Sequence, residues 1–179
     1  QTAADALRRG DFAAAFAASS QGLDNAPDHP ALLGITALAL LQLHRKEEAL
    51  PYLRRHVAVA PQDRAARFNL ATVLTATGNE AEARPLAMDH GGHPGLARLA
   101  GYFDQQDGAT LLAAQAYRAA LDAAPQDWES WNNLGNCLAV LGDSAGAIAA
   151  FENAINRQPP PGLPEVFLNL SQALSAVEN

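Results

Sequence analysis

Lysine is almost missing from this chain: Lys46 stands alone among 12 basic residues, against 19 acidic ones. With a net charge of −7 there is no basic stripe to neutralise successive phosphates, so a nucleic acid is excluded as an expected partner. The acidic balance suits solubility and disfavours anionic partners. Cysteine is equally scarce. Cys137 alone excludes an internal disulfide and fits a reducing compartment, which leans the expectation toward the cytoplasm. No apolar run reaches the roughly 18 residues that cross a bilayer, so membrane insertion is not expected. Neither a phosphate-cradling G-x-x-x-x-G-K-[ST] loop nor a G-x-G-x-x-G turn occurs, and no cofactor is expected. Aromatic residues are only 6%, and Val and Ile are few, so strands lack their usual formers.

Alanine is what the chain has in plenty. It has the best helix propensity, and its small side chain lets helices approach closely. With 49% apolar residues, the composition predicts an ordered all-α chain.

The helices announce themselves by spacing. Trp131, Leu134, Gly135 and Leu138 share one helical face, and so do Ala147, Ile148, Phe151, Ala154 and Ile155 beyond Gly142-Asp143-Ser144. Pro159 then stops the second helix. About 34 residues upstream the pattern returns as Ala113, Tyr117, Ala120 and Pro125. It returns again as Ala49, Leu53, His56 and Pro61, and as Ala15, Ser19, Gly22 and Pro27. Gly10-Asp11, Gly78-Asn79 and Gly142-Asp143 each precede a second helix, as a C-terminal glycine followed by an N-capping side chain should.

On these residues the chain resembles the tetratricopeptide repeat (TPR) family, whose unit carries W-x2-L-G-x2-Y, then A-x3-F, an alanine and a proline. Residues 128–161 match closely, with Leu138 in place of the family tyrosine. Residues 30–63 match with His44 where the turn glycine belongs. Residues 94–127 match in the second helix and loosely in the first, where Gly101 or Ala100 is the small residue. Residues 64–93 form a shortened, irregular unit cut by DHGGHPG. Residues 1–29 hold a partial repeat, and 164–179 a terminal helix or half repeat. The expectation favours an excerpt of a longer array, and a start at Gln1 rather than Met suggests that something upstream was removed. Pro51 and Pro85 are expected to delay or bend their helices. The resemblance implies one right-handed α-solenoid of stacked antiparallel helix pairs, a TPR superhelix, with first helices lining a concave groove.

It also implies which side chains face that groove: Phe68, Asn69, Thr72, Arg98, Tyr102, Gln105, Asn132, Asn133, Asn136, Asn169 and Gln172. Asn69, Asn133 and Asn169 share one register position, interrupted by Leu99. An asparagine amide can pair with a peptide C=O and N–H together, so such a row suits an extended peptide. Alternatively these amides are solvated or knit neighbouring repeats. Asn132 stands where the carboxylate-clamp members of the family carry lysine, and no groove position holds one. The acidic C-termini bound by such clamps are therefore not expected here.

Several motifs invite other readings. Gly-Asp-Ser-Ala-Gly at 142–146 fits a nucleophilic serine, but an elbow needs a strand before Ser144 and a histidine nearby. A turn capped by Asp143 or Ser144 fits better, and the chain is not read as an enzyme. Asp89, His90 and His93 offer a metal pair without further ligands. Cys137 reads as a buried small hydrophobe, and Asn169-Leu170-Ser171 as a helical rather than a glycosylated site. The expected function is a protein–protein interaction module of a bacterial protein, holding an extended peptide. Two alternatives stand beside it. One is a regulatory or substrate-positioning TPR region of a larger enzyme, such as a sulfotransferase or glycosyltransferase. The other is a self-association scaffold, with a homo-oligomer formed through the terminal helix.

Overall fold

The computed structural model describes residues 2–157 and 164–178. Among these there is no strand, and eleven helices follow one another. They are α1 (Ala3–Arg8), α2 (Phe12–Asn25), α3 (Pro30–Gln42), α4 (Lys46–Val59), α5 (Arg64–Ala76) and α6 (Glu80–Met88), then α7 (Pro94–Gln106), α8 (Thr110–Ala123), α9 (Trp128–Val140), α10 (Ser144–Asn156) and α11 (Pro164–Glu178). Pro159, expected to end the second helix of its unit, lies outside the described residues. The chain divides into two compact units, Gln1–Leu86 and Ala87–Asn179.

In the first unit the helices are punctuated as the glycines and capping residues dictate. The Asp11 carboxylate accepts from the Ala14 N–H at 3.1 Å and opens α2; Asp63 does the same for α5 through Ala65 and Ala66. His44 ends α3 at φ 59°, in the left-handed region that the other turns fill with glycine, where a side chain costs about 1–2 kcal/mol. Pro51 does not delay its helix: α4 begins at Lys46 and is 14 residues long, the same as α2 and α8. The proline forfeits one N–H near the start, and the buried Ala49, Leu50 and Leu53 hold the helix in place across it. α6 also starts ahead of its proline but has only nine residues, ending where Asp89-His90-Gly91-Gly92 takes over.

The core of this unit is small and tight. Ala15, Leu33, Ala37, Ala39 and Leu40 are fully buried. The Ser19 and Thr36 hydroxyls lie 2.8 Å apart between α2 and α3; one donates to the other, and the proton left over has the Phe16 or Leu32 carbonyl in reach. That arrangement satisfies two polar groups which burial would otherwise penalise. At the surface Arg54 donates twice to Glu82, at 2.8 and 2.7 Å, tying α4 to α6. Both side chains are nearly half exposed, so the pair contributes at most about 1 kcal/mol.

The second unit is built on two glycine–aromatic contacts. A Cβ on Gly101 would lie 2.8–3.0 Å from the Tyr117 ring, and one on Gly135 would lie 2.5–2.9 Å from the Phe151 ring. Both rings are buried to within 1%. Of the two candidates for the small residue of α7, then, Gly101 takes the close approach to α8. In the first unit the same two register places hold Ala37 with Leu53 and Ala3 with Ser19, all buried. Where the first of these places holds glycine the second holds an aromatic residue; where it holds alanine in these two pairs of the first unit, the second holds leucine or serine.

Candidate functional site

The residues expected to face a groove fall in both units. Phe68, Asn69 and Thr72 sit on α5 in the first; Phe68 and Asn69 are half-buried and Thr72 is exposed. The rest sit on α7, α9 and α11 in the second.

On α7, Arg98 is not a free cation. It pairs with Glu129 and lies 3.5 Å from Asp127, both at the start of α9. One guanidinium between two carboxylates leaves a net negative charge, so this point repels an incoming carboxylate rather than holding it. Gln105 accepts a hydrogen bond from the Tyr117 hydroxyl at 3.1 Å. Tyr102 is exposed and leans on Phe103, ring centroids 5.6 Å apart.

On α9 and α11 the asparagines meet. The Asn169 amide donates to the Asn132 side-chain oxygen at 3.1 Å, joining two first helices directly. Here an amide does knit neighbouring repeats. Asn136, Asn169 and Gln172 line one open cleft of about 170 Å³, together with Ala139, Ala173, Ala176, and Ser144 and Phe151 from α10. The alanines keep the cleft wide, and the three amides supply donors and acceptors at its wall. Asn133 is half-buried on the same helix but is not among the residues that line it.

The serine motif resolves into a turn. Gly142 takes φ 82°, and the Asp143 carboxylate accepts from the Gly146 N–H at 2.9 Å, so Asp143 is the cap and Ser144 the first residue of α10. A helix, not a strand, precedes it. Asp143→Ala is expected to cost about 0.5–2 kcal/mol and Ser144→Ala only a few tenths, as read by urea denaturation. Among the described residues no group of three or more metal-ligating side chains occurs, and the histidine at position 93 instead accepts from the Leu96 N–H to cap α7. Cys137 is 1% exposed and burial pushes its thiol up, away from the reactive thiolate.

Burial likewise pushes the Tyr117 hydroxyl well above the usual tyrosine range. In the unfolded chain that group ionises near pH 10, while in the folded chain it keeps its proton. The contribution of Tyr117 is therefore intact below about pH 10 and falls by about 1.4 kcal/mol per pH unit above it, until the folded group also ionises. Tyr117→Phe should remove this slope from thermal melts taken between pH 9 and 12.

Two sequence signals were missed at this site. Gly108 closes the α7–α8 turn at φ 74° as Gly142 does for α9–α10. The acids that meet Arg98 were legible in Asp127 and Glu129, about 30 residues downstream, but their convergence depends on how α7 and α9 pack.

The family model described as Tetratricopeptide repeat matches residues 1–63, 37–90 and 106–163. The chain belongs to the tetratricopeptide repeat family. The FlbA protein of Caulobacter vibrioides (strain ATCC 19089 / CIP 103742 / CB 15) is 25% identical over 152 residues, covering 85% of this chain. The chain spans only 20% of that protein's length. Among solved structures, the crystal structure of MamA superposes with a TM-score of 0.75 at 15% identity, covering 88% of this chain and 95% of that one. YrrB, described as a TPR protein with an unusual peptide-binding site, gives 0.72 at 16% identity, over 99% and 89% of the two chains. At such identities the likeness shows the TPR solenoid fold alone. TPR chains are scaffolds for protein–protein interaction, and no helix among the described residues is long and apolar enough to cross a membrane.

Proposed function

We propose that this chain is a docking module for an extended protein segment, and that the α9–α11 cleft is its principal seat. The observation that carries the reading is the convergence of Asn136, Asn169 and Gln172 on one cleft whose other walls are three alanines, Ser144 and Phe151. Side-chain amides can match successive backbone C=O and N–H groups, whatever side chains the segment carries. Small neighbours leave room for that backbone to approach. The ion-paired Arg98 at the far side of α9 supports an internal segment as ligand rather than a C-terminal carboxylate. Asn133 and Tyr102 extend the surface within the second unit, and Phe68, Asn69 and Thr72 form a separate candidate surface on α5 of the first, under the same proposal. The likeness to YrrB lends support by kinship of fold only.

Peptides selected against the chain from a random phage library test this. Asn136→Ala combined with Gln172→Ala should weaken the selected peptides about tenfold or more, roughly 1.5 kcal/mol, with unchanged helicity by circular dichroism. Unchanged affinity in that double variant would remove the cleft from the function.

A further inference from the structure

Charge is divided unevenly between the two units. Nine of the 12 basic and nine of the 19 acidic residues precede residue 87, so the first unit balances and the second carries the whole net charge of −7. The lysine and arginine residues of the second unit are Arg98, Arg118 and Arg157. Arg98 is held by Asp127 and Glu129. Arg157 is held by the Asn153 side chain and by the Pro125 and Asn153 carbonyls.

The α9–α11 cleft runs out toward acid at one end. On α11, Glu165, Asn169 and Gln172 are spaced i, i+4 and i+7, which is one face of the helix. On α9, Glu129, Asn132 and Asn136 share a face in the same way. The Asn169–Asn132 bond comes about one turn before Asn136 and Gln172 on both helices, so the helices run alike and both glutamates stand at the same end. Both are exposed. Three carboxylates there, those of Asp127, Glu129 and Glu165, stand against the one guanidinium of Arg98.

Resting on the docking reading above, we infer that the docked segment is basic: a lysine or arginine of the partner protein meets Glu165, while the stretch beside it lies along Asn136 and Gln172. From Glu165 to Gln172 the helix rises about 10 Å, which an extended chain covers in about three residues. The cleft amides take a backbone whatever its side chains, so Glu165 is the residue that selects among sequences. The charge of the whole unit brings such a segment in faster and turns an acidic one away, an effect that salt screens.

A random phage library, selected at low salt on the wild-type chain and on Glu165→Lys, tests this. Clones that Asn136→Ala combined with Gln172→Ala fails to retain are the cleft ligands. Among them the wild-type pool should favour Lys or Arg at one position, and the Glu165→Lys pool should put Asp or Glu there. A synthetic peptide of the wild-type consensus should lose about two- to fivefold in affinity on Glu165→Gln, the range of an exposed ion pair. The same peptide with glutamine at its basic position should ignore that change. Added salt should slow association of the basic peptide more than it speeds dissociation. Cleft ligands with no preferred cation, or a consensus peptide indifferent to Glu165→Gln, overturn the inference and leave the docking reading standing. A pool that the double variant retains in full sinks the docking reading, and this inference with it.

Discussion

Gly135→Leu should unfold the α9–α10 hairpin. A Cβ at this position would meet three ring atoms of Phe151 at 2.5, 2.7 and 2.9 Å, well inside ordinary contact, before the rest of the leucine is placed. Phe151 is 1% exposed and belongs to one core cluster with Ala147, Ala150 and Leu138, so moving its ring disturbs that core. The helices must therefore part, exposing a core that extends through Cys137 and Tyr117. A loss of about 3 kcal/mol or more is expected, at the upper end for overpacking. Urea denaturation followed by circular dichroism reads it. Phe151→Ala added to Gly135→Leu should recover part of the loss, because the two residues compete for one space. A Gly135→Leu chain with an unmoved midpoint would contradict the close approach of α9 and α10.

Tyr117→Ala should cost about 3–5 kcal/mol, the range for emptying a large aromatic site. Tyr117 is the largest fully buried side chain of the second unit. Its ring lies flush against Gly101, which has no side chain to relax into the void. The hydroxyl bond to Gln105 is the smaller part, because Gln105 is exposed and can turn to water. Tyr117→Phe should thus keep most of the stability at pH 7, whereas Tyr117→Ala should not. Gly101→Ala placed in the Tyr117→Ala background should restore some of it by filling space. In the wild-type background the same change should be harmful, and comparing the two backgrounds in a thermal melt gives the sign reversal.

Much of the fold could be read from residue order because TPR packing is local. A capping aspartate after a glycine, an alanine face and a proline stop are each decided within a few residues. Asp11 and Asp143 therefore behave as spacing implied. His44 is legible for the same reason: a residue standing in a glycine's place adopts a glycine's backbone. Pro51 does not delay α4, because the burial of Ala49 and Leu53 outweighs one lost N–H. The site was harder. Register assigns asparagines to a face, but it cannot say that Asn169 spends its amide on Asn132, or that Arg98 meets Glu129. Those depend on angles between neighbouring repeats, which side-chain volumes across the hairpins set jointly.

Both tryptophans of the chain, Trp128 and Trp131, lie on α9. The Trp131 indole donates to the Pro125 carbonyl at 2.9 Å beneath the Arg157 guanidinium, 4.9 Å away. Intrinsic emission excited at the red edge thus reports a single locality, while the first unit stays optically dark. Solenoids lose their hairpins one after another rather than all at once when neighbour coupling is weak. A spectroscopist who compares emission with ellipticity on one sample can therefore learn whether this array melts as a block or peels from an end.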